Sequence, residues 1–197
     1  MTPLTRDNSK IAPKKAKMGV SEPVSALASP DPTVRTKARE VLVAIGKLTV
    51  PSLIRLLSHR KPHVRWEAAK ALCGIADPIA AFALVNALDD RDGDVRWPAA
   101  EGVAALGRDG LQPLLAALLE RAQSGRFCER AHHVCHTLLK RKKLGPILRP
   151  LLAALKKSEP AVTVPPAAYA ALSRLQELSR GRGRACLRHV QRLPVPR

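Results

Sequence analysis

Aromatic side chains, acidic side chains and long apolar runs are all scarce in this sequence of 197 residues. Aromatic residues make up 3% of the chain and hydrophobic residues 46%, so a folded core has to be built from aliphatic side chains. No segment approaches the roughly 20 apolar residues of a membrane-spanning helix, and the N-terminus lacks the apolar stretch of a secretory signal. We therefore expect a cytoplasmic protein with no membrane partner.

Cysteine is also sparse, and the four cysteines are spread along the chain. Such a number and spacing do not suit a disulfide scaffold and favour a reducing compartment. The cysteines are Cys73, Cys128, Cys135 and Cys186.

Acidic residues are outnumbered, with 16 Asp and Glu against 34 Lys and Arg, for a net charge of +18. The excess is concentrated at both ends and in residues 126–150, which contain seven basic residues and one acidic residue. Basic, apolar-poor ends are typical of disordered arms. We predict a disordered N-terminal arm over 1–21, a folded domain over 22–178 and a basic Arg/Gly-containing tail over 179–197.

An internal repeat is the most informative feature that is present. The sequences Val-Arg-Thr-Lys-Ala, Val-Arg-Trp-Glu-Ala and Val-Arg-Trp-Pro-Ala begin at Val34, Val64 and Val95, at offsets of 30 and 31 residues. Apolar residues in each copy recur at i, i+4, i+8 and i+11, which indicates one face of a helix. Asp or Pro residues precede each copy, and Gly46 and Gly107 follow two of them, as expected at helix ends.

A second helical pattern lies between the copies, at residues 51–57, 79–88, 111–119 and 145–155. The unit is therefore a helix, a short turn and a second helix in about 31 residues. Two less regular first helices are predicted over about 127–139 and 166–178, and residues 23–28 resemble the end of a preceding second helix. Because one such pair cannot bury its apolar face alone, the pairs must stack on each other.

The pattern Asp-x-x-Val-Arg-x-x-Ala-Ala-x-Ala-Leu-Gly resembles short HEAT-like repeats, the class named after phycobilisome lyase subunits. Residues 64–72 and 95–100 match it closely. The resemblance implies an all-α solenoid of antiparallel helix pairs, with about four full units and partial caps. The resemblance does not indicate a particular activity, because such repeats serve many functions.

The recurring arginines Arg35, Arg65 and Arg96 have two interpretations. The resemblance implies a ladder in which each arginine bonds an acidic residue or a helix end in the adjoining turn, with Asp31 and Asp92 as candidates. Alternatively, the row binds phosphate or carboxylate groups of a ligand.

Trp66 and Trp97 occupy equivalent positions in consecutive units, directly after two of these arginines. We predict that they lie next to each other at one edge of the stack. They either cover the seam between repeats or form a binding strip with arginine, since both residue types dominate binding hot spots.

One cluster has the composition of a metal site, namely Cys128, His132, Cys135 and His136 on one predicted helix. Four ligands from one straight helix do not easily form a tetrahedron, and Cys135 borders the predicted core stripe. We therefore expect no bound metal and no cofactor.

No phosphate-binding loop, nucleophile elbow or His-Glu dipeptide occurs in the sequence, so we expect no enzymatic activity. We predict a non-catalytic scaffold that binds an acidic protein or peptide through a rigid, curved, basic surface. The alternative is an accessory module that binds DNA or RNA through its basic arms and helix ends. The predicted binding residues are Arg55, Arg65, Trp66, Arg96, Trp97, Lys140, Arg141, Lys142 and Lys143.

Overall fold

The computed structural model describes residues 12–140 and 144–190, and within these the side chains of 19–140 and 144–178. Regular structure in the described part is entirely helical, which confirms the predicted all-α solenoid class. The helices are α1 (Ala12–Ala26), α2 (Pro32–Ile45), α3 (Val50–Leu56), α4 (Pro62–Ile75), α5 (Ala81–Ala87), α6 (Gly93–Leu106), α7 (Arg108–Arg121), α8 (Gly125–Leu138), α9 (Gly145–Leu155) and α10 (Pro160–Val190).

The repeated helix starts follow from local sequence. Asp31 caps α2, accepting a hydrogen bond of 2.7 Å from the backbone N–H of Thr33. Pro32 and Pro62 open α2 and α4, where a missing N–H and a fixed φ cost nothing. Ser124 caps α8 in the same way as Asp31 caps α2.

The residues that follow the three repeated first helices all have a positive φ. Gly46, Ala76 and Gly107 follow the three first helices and have positive φ values of 74°, 52° and 63°. Glycine adopts this conformation without the steric cost that a Cβ atom brings. Gly46 and Gly107 therefore follow two first helices as predicted, with ψ values of -135° and -117°. Ala76 differs from them, because its ψ of 41° places it in the left-handed helical region.

The chain divides into two compact units, Met1–Gly102 and Val103–Arg197. In the first unit α1 packs against α2, and α4 packs against both α2 and α3. Ala68, Ala69, Ala99 and Ala100 are fully buried, as expected where helices approach closely. The side chains that fill this core are mainly leucines, including Leu27, Leu42, Leu53, Leu72 and Leu84.

The second unit holds α7 to α10, and its core includes Leu114, Leu118, Phe127 and Leu138. Helix α8 packs against α7 and α9, as expected of a fourth pair. Helix α10 makes its main contacts with α7 and α9, both second helices of their pairs.

The position of α10 corrects one expectation. We predicted a fifth first helix over 166–178, which in a regular stack packs against the preceding first helix, α8. The stripe formed by Val164, Ala168, Ala171 and Leu175 is instead buried against the second-helix layer. A stripe of small side chains fits either layer, so the sequence pattern does not decide between them.

The predicted boundaries of the arm and the tail stay predictions. Helix α1 begins at residue 12 and α10 extends to residue 190, beyond both predicted borders of the folded domain. Residues 1–11 and 191–197, and Arg141 to Lys143, lie outside the described residues.

Candidate functional site

The recurring arginines form a ladder within the first unit. Each of Arg35 and Arg65 donates through Nη1 to the carbonyls six and five residues before it, at 2.9–3.2 Å. Arg96 donates in the same way to the Asp90 carbonyl at 2.7 Å. These bonds satisfy carbonyl groups of the turn that precedes each first helix. The geometry supports the structural interpretation of the ladder.

The acidic partners of the ladder differ from those expected. Arg65 forms a two-bond ion pair with the carboxylate of Asp90, at 2.7 and 2.8 Å. Arg35 pairs with Glu67 of the next repeat at 3.4 Å. Asp31 and Asp92, the expected partners, accept hydrogen bonds from backbone N–H groups at helix starts instead.

The Arg65–Asp90 ion pair is almost completely buried. The two side chains are 5% and 10% exposed. Burial alone would raise the pKa of Asp90, but hydrogen bonds from the Arg65 guanidinium and the Asp92 backbone outweigh it and hold the pKa below its usual value. Hydrogen bonding to Asp90 likewise raises the pKa of Arg65, against the effect of burial. Most of the Arg65 donors are thus engaged inside the fold.

Glu67 links two repeats beside Trp66. Its carboxylate accepts from Arg35 and from Arg39, although Glu67 itself is 4% exposed. The Arg39 guanidinium also lies over the Trp66 ring, 5.4 Å from the ring centre. This cation–π arrangement fixes Trp66 against α2.

A cavity of about 720 Å³ opens at the starts of α2, α4 and α6, within the first unit. Trp66 and Trp97 both line it, as predicted for equivalent positions in consecutive repeats. Trp97 is 47% exposed. We call this feature the tryptophan cavity, and its lining consists of Pro32, Arg35, Thr36, Arg39, Pro62, His63, Trp66, Glu67, Asp92, Asp94, Val95 and Trp97.

The charges in the tryptophan cavity are mixed. Its lining includes Arg35 and Arg39 of α2 and Asp92 and Asp94 at the start of α6. The buried Nε2 atom of His63 has no hydrogen-bond partner among the described residues. The cavity therefore offers two indole rings, carboxylates and arginines to a partner, rather than a uniformly basic surface.

The other predicted binding residues are spread over the fold. Arg55 is exposed on α3 and donates to Ser52 at 3.0 Å, outside the cavity lining. Lys140 is exposed after α8, and Arg141, Lys142 and Lys143 lie outside the described residues. Sequence reasoning missed Arg39 and His63, although their positions one turn after Arg35 and three residues before Trp66 were available as signals.

Helix α8 separates the four residues that had suggested a metal site. Cys128 and Cys135 are buried in the core, and burial raises the pKa of the Cys135 thiol to about 12. His132 and His136 line a second cavity, of about 340 Å³, beside α9. No group of at least three His, Cys, Asp or Glu side chains in the described part of the chain is arranged to hold a metal ion.

Charge is distributed unequally between the two units. Residues 1–102 contain sixteen basic and eleven acidic residues, whereas 103–197 contain eighteen basic and five acidic residues. Most of the net positive charge therefore belongs to the second unit.

The fold defines the class of protein, an α-helical repeat protein built from helix pairs. A family model of HEAT repeats matches residues 20–104. The chain is a HEAT-like repeat protein.

A solved structure agrees with this class. A chain of the complex of CpcE and CpcF of phycocyanin lyase from Nostoc sp. PCC7120 is 22% identical, with a TM-score of 0.55, and the match covers 81% of this chain and 99% of that one. This likeness shows the fold alone. No curated protein matches the chain.

Two designed or engineered chains also match. An engineered protein, target OR329 of the Northeast Structural Genomics Consortium, is 20% identical over 86% of this chain and 84% of its own, with a TM-score of 0.37. The designed armadillo repeat protein YIII(Dq)4CqI is 19% identical over 78% of this chain and 98% of its own, with a TM-score of 0.36.

Among the helices that the structure describes, none combines the length and the apolar character that a bilayer span requires.

Proposed function

We propose that this HEAT-like repeat protein is a non-catalytic scaffold that binds an acidic protein partner. The observation that carries the proposal is the tryptophan cavity, in which Trp66 and Trp97 of consecutive repeats line one recess. Tryptophan and arginine are the residue types that most often dominate protein–protein binding energies. Their combination at a concave site supports a protein-docking role.

The acidic character of the partner is supported by the net charge of +18. Positive charge accelerates the encounter with an acidic surface and orients it before close contacts form. Because the tryptophan cavity belongs to the first unit, we place the docking anchor there. Because most of the net positive charge belongs to the second unit, we place the electrostatic attraction mainly in that unit.

Replacing Trp66 and Trp97 together by Ala tests the proposal. Loss of both indole rings should reduce recovery of the partner from a host lysate by at least about tenfold. The measurement is quantitative mass spectrometry of proteins that co-purify with the tagged full chain. Circular dichroism has to show unchanged helicity.

The matched control is Phe82→Ala, because Phe82 is an aromatic residue of α5 that is 71% exposed and outside the cavity. Equal partner recovery by the double variant and the wild type would contradict the proposal. If the double variant unfolds, the two rings are seam-packing residues, and the milder Trp97→Gln then shows whether the exposed ring alone affects binding.

The second candidate function is nucleic-acid binding, favoured by the seven basic residues against one acidic residue in 126–150. Such binding depends on release of counterions and weakens steeply with salt. Protein purified at low salt should then carry bound nucleic acid and show a raised ratio of absorbance at 260 nm to that at 280 nm. Undetectable binding to any nucleic acid at low salt would eliminate this candidate.

A further inference from the structure

A second recess in the structure has a different chemistry from the tryptophan cavity. It lies between α8 and α9 in the second unit and measures about 340 Å³. Four of its seven lining residues are His132, His136, Arg149 and Lys156, and none of the seven is acidic. We call it the α8–α9 groove.

Helical spacing places these side chains on the groove. His132 and His136 are one turn apart on α8, and their rings stack with centroids 6.3 Å apart and an interplanar angle of 16°. Arg149 and Lys156 are seven residues, or two turns, apart along α9 and its end. Each wall of the groove therefore contributes two groups that carry or can acquire positive charge.

Among these four residues, His132 is a partly buried histidine whose ring can take up a proton. Its Nε2 atom is buried and has no hydrogen-bond partner among the described residues. Burial lowers the pKa of His132, and the positive charges of Lys156, His136 and His133 lower it further. An anion in the groove would give this nitrogen an acceptor and would favour the protonated ring.

We infer that the α8–α9 groove binds carboxylate side chains of an acidic peptide segment, and that binding takes up protons at its histidines. The inference rests on the acidic partner of the proposed function and adds the site that recognises it. An acidic peptide fits better than a nucleic acid, because single-stranded nucleic acids bind on aromatic platforms. The groove lining contains no Trp, Tyr or Phe.

Other charges around α8 do not neutralise the groove. The carboxylate of Glu129, the acidic residue on α8, pairs with Arg130 at 2.6 Å and is 68% exposed. On the α7 side, the Arg121 guanidinium lies over the ring of Phe127. From α9, the groups that face the groove are Arg149 and Lys156.

The sign of the pH dependence follows from linkage. A bound carboxylate raises the pKa of His132 above its lowered value in the free protein, so binding and protonation favour each other. Affinity therefore rises as pH falls towards about 5.5, where glutamate carboxyls, with a pKa of about 4.3, are still ionised.

The experiment measures binding of a fluorescent oligoglutamate peptide to the full chain at low salt, by anisotropy, at about pH 5.5 and about pH 7.5. The R149Q/K156Q variant should lose about tenfold in affinity at both pH values, since charge-assisted hydrogen bonds are lost. The H132Q/H136Q variant should bind equally at both pH values. The wild type should bind more tightly at the lower pH.

A charge-matched control is K37Q/K47Q, because Lys37 and Lys47 are exposed residues of the first unit. An equal loss in this variant would overturn the inference, since binding would then follow total charge. An unchanged pH response in H132Q/H136Q would also overturn it. Should that variant misfold by circular dichroism, NMR titration of the His132 ring in the wild type replaces it: the pKa should rise when oligoglutamate binds, and an unchanged pKa would overturn the inference.

Two further outcomes separate this inference from the alternatives. Tight binding of oligothymidylate that R149Q/K156Q abolishes, with no binding of oligoglutamate, would overturn it in favour of a nucleic-acid site. The W66A/W97A variant should retain oligoglutamate binding. The experiments can therefore refute docking at the tryptophan cavity while they support binding at the α8–α9 groove. They can equally refute binding at the groove while they support docking at the cavity.

Discussion

At the scale of single residues, the recurring arginines hold the turns of the first unit. Arg65 shows this most clearly, since its guanidinium bonds two backbone carbonyls and the Asp90 carboxylate. Removing one partner of a buried ion pair leaves the other charge buried without compensation. We therefore expect these pairs to matter more for stability than for binding.

The Asp90→Asn variant should lower the free energy of unfolding by about 3 kcal/mol at neutral pH. The pKa of Asp90 is held below its usual value, so its ionised form stabilises the fold above the unfolded pKa of about 3.9. That contribution is lost as pH falls through the folded pKa. The difference between variant and wild type should therefore shrink below about pH 4, as measured by urea unfolding.

The control for this prediction is Asp94→Asn, at an exposed position in the first turn of α6. It should cost less than about 1 kcal/mol, the usual magnitude of an exposed charge at a helix start. If the two substitutions lowered the free energy of unfolding equally, the buried Arg65–Asp90 pair would stabilise the fold no more than an exposed charge does.

Part of this residue-level account was predictable from sequence. The repeat spacing alone placed Trp66 and Trp97 together. The acidic partners of the arginines were not predictable, because Glu67 lies 32 residues after Arg35 and reaches it only once repeats stack. Asp31 and Asp92 were misassigned because an aspartate before a helix serves equally well as its cap.

At the scale of secondary-structure elements, the corner between α6 and α7 is unusually tight. One residue, Gly107, separates the two helices. A Cβ atom at Gly110 would overlap the backbone carbonyl oxygen of Val103 and lie 3.1 Å from the Cβ of Leu106. Backbone atoms cannot move aside as a flexible side chain can, so this contact depends on glycine.

The Gly110→Ala variant should therefore lose about 2 kcal/mol of stability, despite the higher helix propensity of alanine. Thermal unfolding followed by circular dichroism measures the change. Gly125→Ala is the control, because a Cβ atom at Gly125 meets nothing within 4 Å. That variant should be neutral or more stable by up to about 1 kcal/mol; a Gly110→Ala protein as stable as wild type would contradict the tight corner.

Most element boundaries were predictable, and packing partners were less so. The predicted second helix at 145–155 coincides with α9, and the predicted helix over 127–139 differs from α8 by two residues or fewer at each end. Ser124 and Gly125 mark the start of α8, and Gly145 and Pro146 mark the start of α9. The docking of α10 on α7 and α9 was not predictable, since its small buried residues specify a face but no partner.

The α8–α9 groove was missed for a related reason. Sequence inspection grouped Cys128, His132, Cys135 and His136 by composition, as a possible metal site. In the structure, Cys128 and Cys135 are buried in the core. His132 and His136 instead line a groove together with Arg149 and Lys156, which belong to α9 and its end. Charge complementarity across two helices becomes visible only when their packing is known.

At the scale of the whole molecule, the two units differ in charge and in the kind of recess they present. The first unit contains the mixed, tryptophan-lined cavity, and the second contains the basic groove and most of the net charge. We therefore propose a division of roles, in which aromatic anchoring belongs to the first unit and electrostatic attraction belongs mainly to the second.

Site-specific photocrosslinking in the native host tests the proposed docking at the tryptophan cavity most directly. The photoreactive amino acid benzoylphenylalanine replaces Trp97 in one full-length variant and the exposed Phe82 of α5 in another. Docking at the cavity predicts light-dependent covalent adducts with a protein partner at position 97 and far weaker adducts at position 82. Adducts of equal strength at both positions, or none at position 97, would contradict the account.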